Sequence, residues 1–286
     1  MDATLAQRGL SRDLLSDYVQ LACLLEVSAP KPGNITPGHD FHDTTYADML
    51  RSALALGPVF ASARVRNTTV GKLIADGVAT TAHAAGANTN LGIVLLFAPL
   101  AHAALGKRTG ETLAGATERV LAHLGIDDAT AAFAAIVAAS PGGLGEAPEH
   151  DVRESARVTL REAMRAAADR DSIASEYATG YAIVFDTGLP LLSRALDDGV
   201  PTLEAIVSLH LGLLAAHRDT LIERKAGPEA AREVTVAARR VLDGTLSAAD
   251  FDASLRGPDH RLNPGTTADL VAATLLAALL TGIHLP

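Results

Sequence analysis

Apolar residues recur at three- to four-residue intervals along most of this chain, which is the spacing of one buried face of an α-helix. The first such stretch covers residues 11–26 and begins at Ser11, a residue type that often caps helices. The same pattern predicts further helices at 44–62, 68–85, 91–105, 110–124, 128–139, 151–168, 171–184, 201–222, 228–242 and 266–281. No stretch alternates as a strand would. The sequence therefore predicts an all-α fold.

The two most apolar stretches, 91–105 and 270–283, are predicted to be buried central helices. Each is shorter than the roughly 20 residues that a bilayer span requires. The segment 140–150 is rich in glycine and proline and suits either a domain boundary or a loop over an active site. Since no internal repeat suggests a solenoid, we predict a single compact multi-helix domain over residues 1–286.

Composition supports helices and narrows the possible partners. Aromatic residues make up 3% of the chain and tryptophan is absent, which disfavours strands. The formal net charge of −9 argues against nucleic acid as the main partner. A single cysteine, Cys23, excludes an internal disulfide, and the N-terminus lacks the pattern of a signal peptide. We therefore expect a cytoplasmic protein that binds neither nucleic acid nor membrane.

A polar elbow at residues 26–36 follows the first predicted helix and is the most informative motif. Lys31 lies between two prolines, which fix φ and lack an N–H, and Gly33 allows the backbone a close approach. Glu26 stands at the end of the preceding helix. These features indicate a rigid, polar ligand-binding loop.

Two later segments, 86–92 and 219–227, carry similar clusters of polar residues and glycine, and 140–145 and 263–269 do so more weakly. Together with the elbow, they resemble the triphosphoribosyl-dephospho-CoA synthase family over roughly residues 20 to 280. That family makes the prosthetic-group precursor of citrate lyase and malonate decarboxylase. The resemblance implies a transferase that uses ATP.

The reaction implied by the resemblance joins the 2′-hydroxyl of an acceptor ribose to C1 of the ATP ribose and expels adenine. Its cationic transition state favours nearby carboxylates, and the triphosphate favours Mg²⁺ and cations. The candidate catalytic residues are Glu26, His42, Asp43 and Asp219. The candidate Mg²⁺ ligands are Glu26, Asp43, Asp151 and Asp219. The candidate substrate-binding residues are Lys31, Gly33, Asn34, Asn88, Thr89, Asn90, Gly92, Thr220, Arg224, Gly227 and Thr267.

Local chemistry supports several of these assignments. His42 adjoins Asp43, and a carboxylate can tune an imidazole near neutrality for acid–base work. Residues 88–90 precede a very apolar helix, whose free N–H groups suit an anion or a ribose. Lys225 is a reserve cation beside Arg224. Each segment also has an ordinary structural interpretation, because Asn and Thr are common helix caps and charged helix ends are usually solvated.

The chain departs from the family pattern at three places. His217-Arg218-Asp219 stands where members that make the citrate lyase precursor carry paired acidic residues, so one carboxylate is missing. Asn90-Leu91 replaces a histidine and a basic residue, and Asn34-Ile35-Thr36 replaces the more common Leu-Val-Asp. These differences are typical of a divergent branch. They leave the acceptor open between dephospho-CoA and a related molecule.

Two other hypotheses remain open at the level of sequence. One is an all-helical Mg²⁺-dependent hydrolase of a ribosyl or phosphate bond, which would turn over with water and no acceptor. The other is a non-enzymatic helical binding protein, in which the polar segments only cap helices. The expected partners are ATP and the acceptor, and a homodimer is left open.

Overall fold

The computed structural model describes residues 10–63, 68–86, 89–139 and 151–285. Within these ranges the chain forms fourteen α-helices, one π-helical segment and no strand, so the predicted all-α fold is confirmed. The helices are α1 (Arg12–Ser28), α2 (Tyr46–Ala61), α3 (Val70–Ala85), α4 (Leu91–Leu105), α5 (Leu113–Leu121), α6 (Ile126–Ala139), α7 (Leu160–Arg165), α8 (Ser172–Thr179), α9 (Leu189–Asp197), α10 (Thr202–Ala216), α11 (Thr220–Ala226), α12 (Pro228–Leu242), α13 (Ala248–Leu255) and α14 (Gly265–Thr281). The π-helical segment is Ile183–Gly188.

The predicted helices differ from the observed ones at several places. The stretch 151–168 contains only the short helix α7, and α9 and α13 were not predicted. The stretch predicted as one helix over 201–222 is divided into α10 and α11. Asp219 causes this break, because its side chain accepts hydrogen bonds from the N–H groups of Leu221 and Ile222 and so begins a new helix.

Helices α4 and α14 form the centre of the main hydrophobic core, as their apolar sequences predict. Residues 93–103 of α4 and 270–279 of α14 are buried throughout. In the described ranges no single helix is long and apolar enough to cross a membrane; one bent pair, α5 with α6 at 94°, passes on length and composition alone. Burial inside the protein accounts for the apolar character of the central helices.

Two tyrosine hydroxyls donate hydrogen bonds to backbone carbonyls of α4 near its internal proline. Pro99 has no N–H to donate to the carbonyl of Leu95, four residues earlier. The Tyr177 hydroxyl donates to that carbonyl at 2.6 Å instead, and the Tyr181 hydroxyl donates to Leu96 O at 2.8 Å. Both tyrosine side chains are fully buried. These bonds fasten α8 and the turn after it to the central helix.

A second, smaller hydrophobic cluster joins the end of α10 to α11, α12 and α13. Its buried members include Leu214, Ile222, Val234 and Phe251. Val207 of α10 packs against both this cluster and the main core. The cluster thus fixes α11 and α13, which border the polar residues described next.

Candidate active site

The elbow begins with a buried ion pair at the C-terminal end of α1. The Lys31 ammonium lies 2.9 Å from Glu26 Oε1, and the exposed fractions of the two residues are 1% and 4%. Lys31 also donates to the carbonyl oxygens of Glu26 and Ala29. An ammonium has three donors, and here they serve the Glu26 carboxylate and two carbonyls at the C-terminal end of α1. The structure places Lys31 inside the protein, where its charge is paired with Glu26 at the end of the helix.

The next residues of the elbow are bonded to α13 and to the segment before α14. Gly33 N–H donates to Asp252 Oδ1 at 2.8 Å, and Asn34 Nδ2 donates to Asn263 Oδ1 at 2.8 Å. Gly33 has a φ of +77°, and a Cβ there would meet the Leu255 side chain at 2.8 Å. Only glycine meets both conditions without strain. The elbow is therefore held to parts of the chain more than 200 residues away.

Asp219 joins α11 to α14. Its Oδ1 accepts from Leu221 N and Ile222 N, and its Oδ2 accepts from Thr267 N at 2.7 Å and Thr267 Oγ1 at 2.8 Å. Burial raises the pKa of this carboxyl, which these hydrogen bonds partly oppose. Four donors occupy the usual acceptor positions of a carboxylate. The geometry gives Asp219 a positioning role and leaves it no free oxygen lone pair for a metal.

Thr220 extends this connection to α8. Its hydroxyl donates to Thr266 Oγ1 at 3.3 Å and accepts from Ser172 N at 3.2 Å. Ser172 is the first residue of α8, and Thr220 is the first residue of α11. The N-terminal ends of α8, α11 and α14 therefore meet.

Asp269 of α14 lies against the start of α4, next to the N-terminal ends described above. A Cβ added to Gly92 would overlap Asp269 Oδ2 and would lie 2.8 Å from the Ile173 side chain. Gly92 thus lets the carboxylate sit directly on the first turn of α4. Helix N-termini carry free N–H groups and a partial positive charge. The starts of α4 and α8 lie beside this carboxylate of α14, and Thr220 and Asp219 join the start of α11 to the same region.

Several charges surround Asp269. Its side chain is partly exposed, yet its pKa is raised well above the ordinary range, first by desolvation and then by the charges of Glu26, Asp219 and Asp171; Arg224 opposes the shift. Arg224 Nη1 lies 2.5 Å from Asp171 Oδ2. Asp171 also caps α8 by accepting from Ile173 N and Ala174 N. The site therefore combines positive helix ends with a group of carboxylates.

The predicted acid–base pair His42 and Asp43 lies in the loop before α2. His42 is exposed and its Nδ1 lies 3.0 Å from His260 Nε2, while the ring of His260 stacks on Phe41 with centroids 3.8 Å apart. Burial and the neighbouring His42 lower the pKa of His260, and Asp43 opposes this shift. This pair belongs to a surface cluster with His260 and not to the group of carboxylates around Asp269.

The four predicted Mg²⁺ ligands do not form one metal centre. Among the described residues, no three His, Cys, Asp or Glu side chains are grouped so that they could hold a metal ion. Asp151 bonds to Arg153, whose guanidinium lies 3.3 Å away. Glu26 pairs with Lys31, and the oxygens of Asp219 serve as described above. The spacing of these residues in sequence gave no information on their separation in space.

The polar residues that precede α4 do not form the predicted helix cap. Asn88 lies outside the described residues, and the Thr89 hydroxyl is 2.6 Å from that of Ser52. Asn90 occupies the N-cap position but makes no capping hydrogen bond. It is 1% exposed, and its Oδ1 has no hydrogen-bond partner in the described part of the chain. Gly227, at the other predicted segment, has a φ of +95° and separates α11 from α12.

Sequence reasoning assigned no role to Asp171 or Asp269. The signal for Asp269 was present, because it is the one charged residue in a 17-residue helix that is otherwise apolar or neutral. A carboxylate in such a helix needs a partner or a function. Asp171 carried a weaker signal, since an aspartate before a helix is an ordinary N-cap.

Comparisons with known proteins identify the family of this chain. The family described as ATP:dephospho-CoA triphosphoribosyl transferase matches residues 12–284. A protein of Stutzerimonas stutzeri (strain A1501), named as a probable 2-(5''-triphosphoribosyl)-3'-dephosphocoenzyme-A synthase, is 26% identical over 303 residues, which cover 98% of this chain and 97% of that protein. A crystal structure from Archaeoglobus fulgidus, described as a triphosphoribosyl-dephospho-CoA synthase, has the same fold. Its TM-score is 0.64 at 23% identity, over 82% of this chain and all of the other.

The fold and the site together define an all-helical enzyme whose polar residues gather at helix N-termini. The chain belongs to the ATP:dephospho-CoA triphosphoribosyl transferase family and is therefore a transferase. The segments that carry the resemblance also meet in space: the elbow contacts 263–269, Asp219 contacts Thr267, and Gly92 contacts Asp269.

Proposed function

We propose that this enzyme moves the triphosphoribosyl group of ATP to the ribose 2′-hydroxyl of 3′-dephospho-CoA, or of a related acceptor, and releases adenine. The observation that carries the proposal is the meeting of the N-terminal ends of α4, α8, α11 and α14 in one region that contains the Asp269 carboxylate. This arrangement offers two features that a metal–nucleotide complex needs: a positive region for the phosphate oxygens, and carboxylates nearby. The family to which the chain belongs supports the choice of ATP and dephospho-CoA.

The helix ends supply the positive side of the site. The first turn of α4 suits phosphate oxygens, because it has no side-chain cap and helix N-termini bind anions without a dedicated lysine; the N–H groups that open α8 and α14 already bond to Asp171, Thr220 and Asp219. Arg224 adds a fixed cation, held by Asp171. Lys31 is not needed for this role, which agrees with its burial in the ion pair with Glu26.

Asp269 is the proposed general base. In the transfer, a bond forms between the acceptor 2′-oxygen and C1 of the ATP ribose while the bond from C1 to adenine breaks. The hydroxyl proton passes to the Asp269 carboxylate, and adenine leaves with the bonding electrons and takes a proton from water. The raised pKa of Asp269 makes it a stronger base than an ordinary aspartate. The charges of Glu26 and Asp171 favour the positive sugar that develops.

Mg²⁺ fits the donors present here, although fewer protein ligands are available than the sequence suggested. The unpaired Oδ1 of Asn90 is the oxygen donor that would hold it, and Asp269 stays free to accept the proton. Mg²⁺ typically takes one or two carboxylates and completes its shell with phosphate oxygens and water. When bound, the ion would neutralise part of the triphosphate charge. We further propose that residues 1–286 act as a single domain.

The test is a product analysis with ATP, Mg²⁺ and dephospho-CoA. The proposal predicts free adenine together with an equal amount of a dephospho-CoA adduct heavier by one triphosphoribosyl group. Adenine at the same rate with and without dephospho-CoA, and no adduct, would instead identify a hydrolase. No adenine with any ribonucleotide acceptor would refute the proposal.

A further inference from the structure

A cavity lies outside the Asp269 site, between the end of α11, the end of α13 and the segment that leads to α14. Its volume is about 340 Å³, which is in the range of small-molecule pockets. Its lining comprises Ala226, Ser254, Leu255, Arg256, Gly257, Asp259, Arg261 and Leu262. In a chain with a net charge of −9, two arginines at one small cavity call for an explanation.

Both guanidinium groups are held in place by the protein. Arg256 makes a two-point contact with Asp252, at 2.7 and 2.8 Å, and donates to Asn34 O at 3.2 Å. Arg261 uses Nε and Nη2 to donate to the carbonyl of Lys225, at 2.9 and 2.6 Å. A fixed guanidinium loses little entropy when it binds an anion, and it matches phosphate oxygens in pairs.

The charge of Arg261 is poorly compensated. Its hydrogen-bond acceptor is a neutral carbonyl, and the carboxylate of Asp259 is 3.7 Å away on an exposed side chain. Its Nη1 makes no hydrogen bond to any other described residue. Lys225 lies close enough for its charge to lower the pKa of His260. The lining of the cavity therefore carries two arginines and one carboxylate, that of Asp259.

The cavity is connected to the proposed active site through two elements. Arg256 and Asp252 bond to the elbow at Asn34 and Gly33. On the other side, Ala226 lines the cavity while Arg224, two residues earlier in α11, bonds to Asp171. Residues two positions apart in a helix face nearly opposite ways. The two sites are therefore separated by about one helix width, roughly 10 Å.

From this geometry we propose that the cavity is a second anion subsite, which binds a diphosphate or triphosphate chain of a substrate through Arg261 and Arg256. The inference rests on the proposed function for the identity of the substrates, because both ATP and dephospho-CoA carry such a chain. The prediction that the cavity binds an anion does not depend on the proposed function. The Asp269 site can serve one phosphate chain, and the cavity serves the other.

The first experiment measures binding of inorganic tripolyphosphate to the full chain by calorimetry. Arg261→Gln should weaken the cavity-dependent binding about tenfold or more, as expected for the loss of a charge-assisted contact. Arg232→Gln is the matched control, since Arg232 lies on the exposed surface of α12 with Glu229. Equal tripolyphosphate affinity in Arg261→Gln, Arg256→Gln and wild type would overturn the proposal, as would the absence of binding to wild type.

The second experiment decides which substrate uses the subsite. A rise of KM for the acceptor alone in Arg261→Gln, with kcat unchanged, assigns the cavity to the acceptor's diphosphate; a rise for ATP alone assigns it to the triphosphate. If wild type shows no transfer yet Arg261→Gln loses tripolyphosphate binding, the subsite stands and the proposed function fails. If transfer occurs but neither KM changes, the subsite is refuted and the function stands.

Discussion

Replacement of Lys31 by methionine should unfold the protein at a lower denaturant concentration rather than weaken nucleotide binding. The variant removes the cation that faces Glu26, whose exposed fraction is 4%, and removes the donor to the last carbonyls of α1. Breaking one partner of a buried ion pair costs about 3–5 kcal/mol, since the remaining charge stays buried. At roughly 2 °C of melting temperature per kcal/mol in a chain of this size, Tm should fall by about 6–10 °C.

Urea unfolding at pH 7, followed by circular dichroism, measures this effect. The double variant Glu26→Gln/Lys31→Met should recover most of the lost stability, because it leaves no unpaired buried charge. Lys72→Met is the matched control: Lys72 pairs with Asp76 on an exposed face of α3, and the change should cost under about 1 kcal/mol. If Lys31→Met unfolds like wild type while KM for ATP rises tenfold, Lys31 does not stabilise the fold through its ion pair with Glu26 and is instead a phosphate ligand.

Three further variants test other parts of the structure. Gly92→Ala should displace Asp269 and lower kcat about tenfold or more, whereas Gly125→Ala, whose Cβ would make only ordinary contacts at 3.9 and 4.0 Å, should not; equal rates would contradict the close approach. Burial raises the Glu176 pKa to about 7, so the folded state retains a proton that the unfolded chain loses; the free energy of unfolding should fall by up to about 3 kcal/mol as pH rises from about 4.5 to 7. Glu176→Gln should abolish that slope in urea titrations at several pH values, and an unchanged slope would exclude Glu176 as its source. Tyr177→Phe leaves the Leu95 carbonyl without its donor and should cost about 1–3 kcal/mol in urea unfolding, a loss that should be absent if water replaces the hydroxyl.

The fold was predictable because helices have a local signal. The apolar face of α1 and the uniformly apolar α4 repeat within a few residues, and tertiary contacts did not override them. The break before α11 was missed because it depends on Asp219 turning back to cap the helix that follows it. Short helices such as α13, whose buried residues are only Phe251 and Leu255, have too little periodicity to be recognised.

The segments that form the site were predictable from the sequence, but the roles of individual residues in them were not. The elbow, 86–92, 219–227 and 263–269 were selected from the sequence, and the structure brings them together. The role of Lys31 depends on a side chain that folds back onto its own helix end, which spacing does not reveal. The pKa of Asp269 is raised first by desolvation and then by charges on three other elements. Such contacts join residues far apart in sequence, so no local pattern encodes them.

Single-turnover transfer by Asp269→Asn, compared with wild type and with the control Asp76→Asn, tests the central claim most directly. A general base contributes about 10²- to 10⁴-fold, so adduct formation should slow at least 100-fold in Asp269→Asn while ATP still binds. Asp76→Asn, which alters only the surface pair with Lys72, should react like wild type. Transfer by Asp269→Asn at the wild-type rate would show that the chemistry occurs elsewhere in the protein.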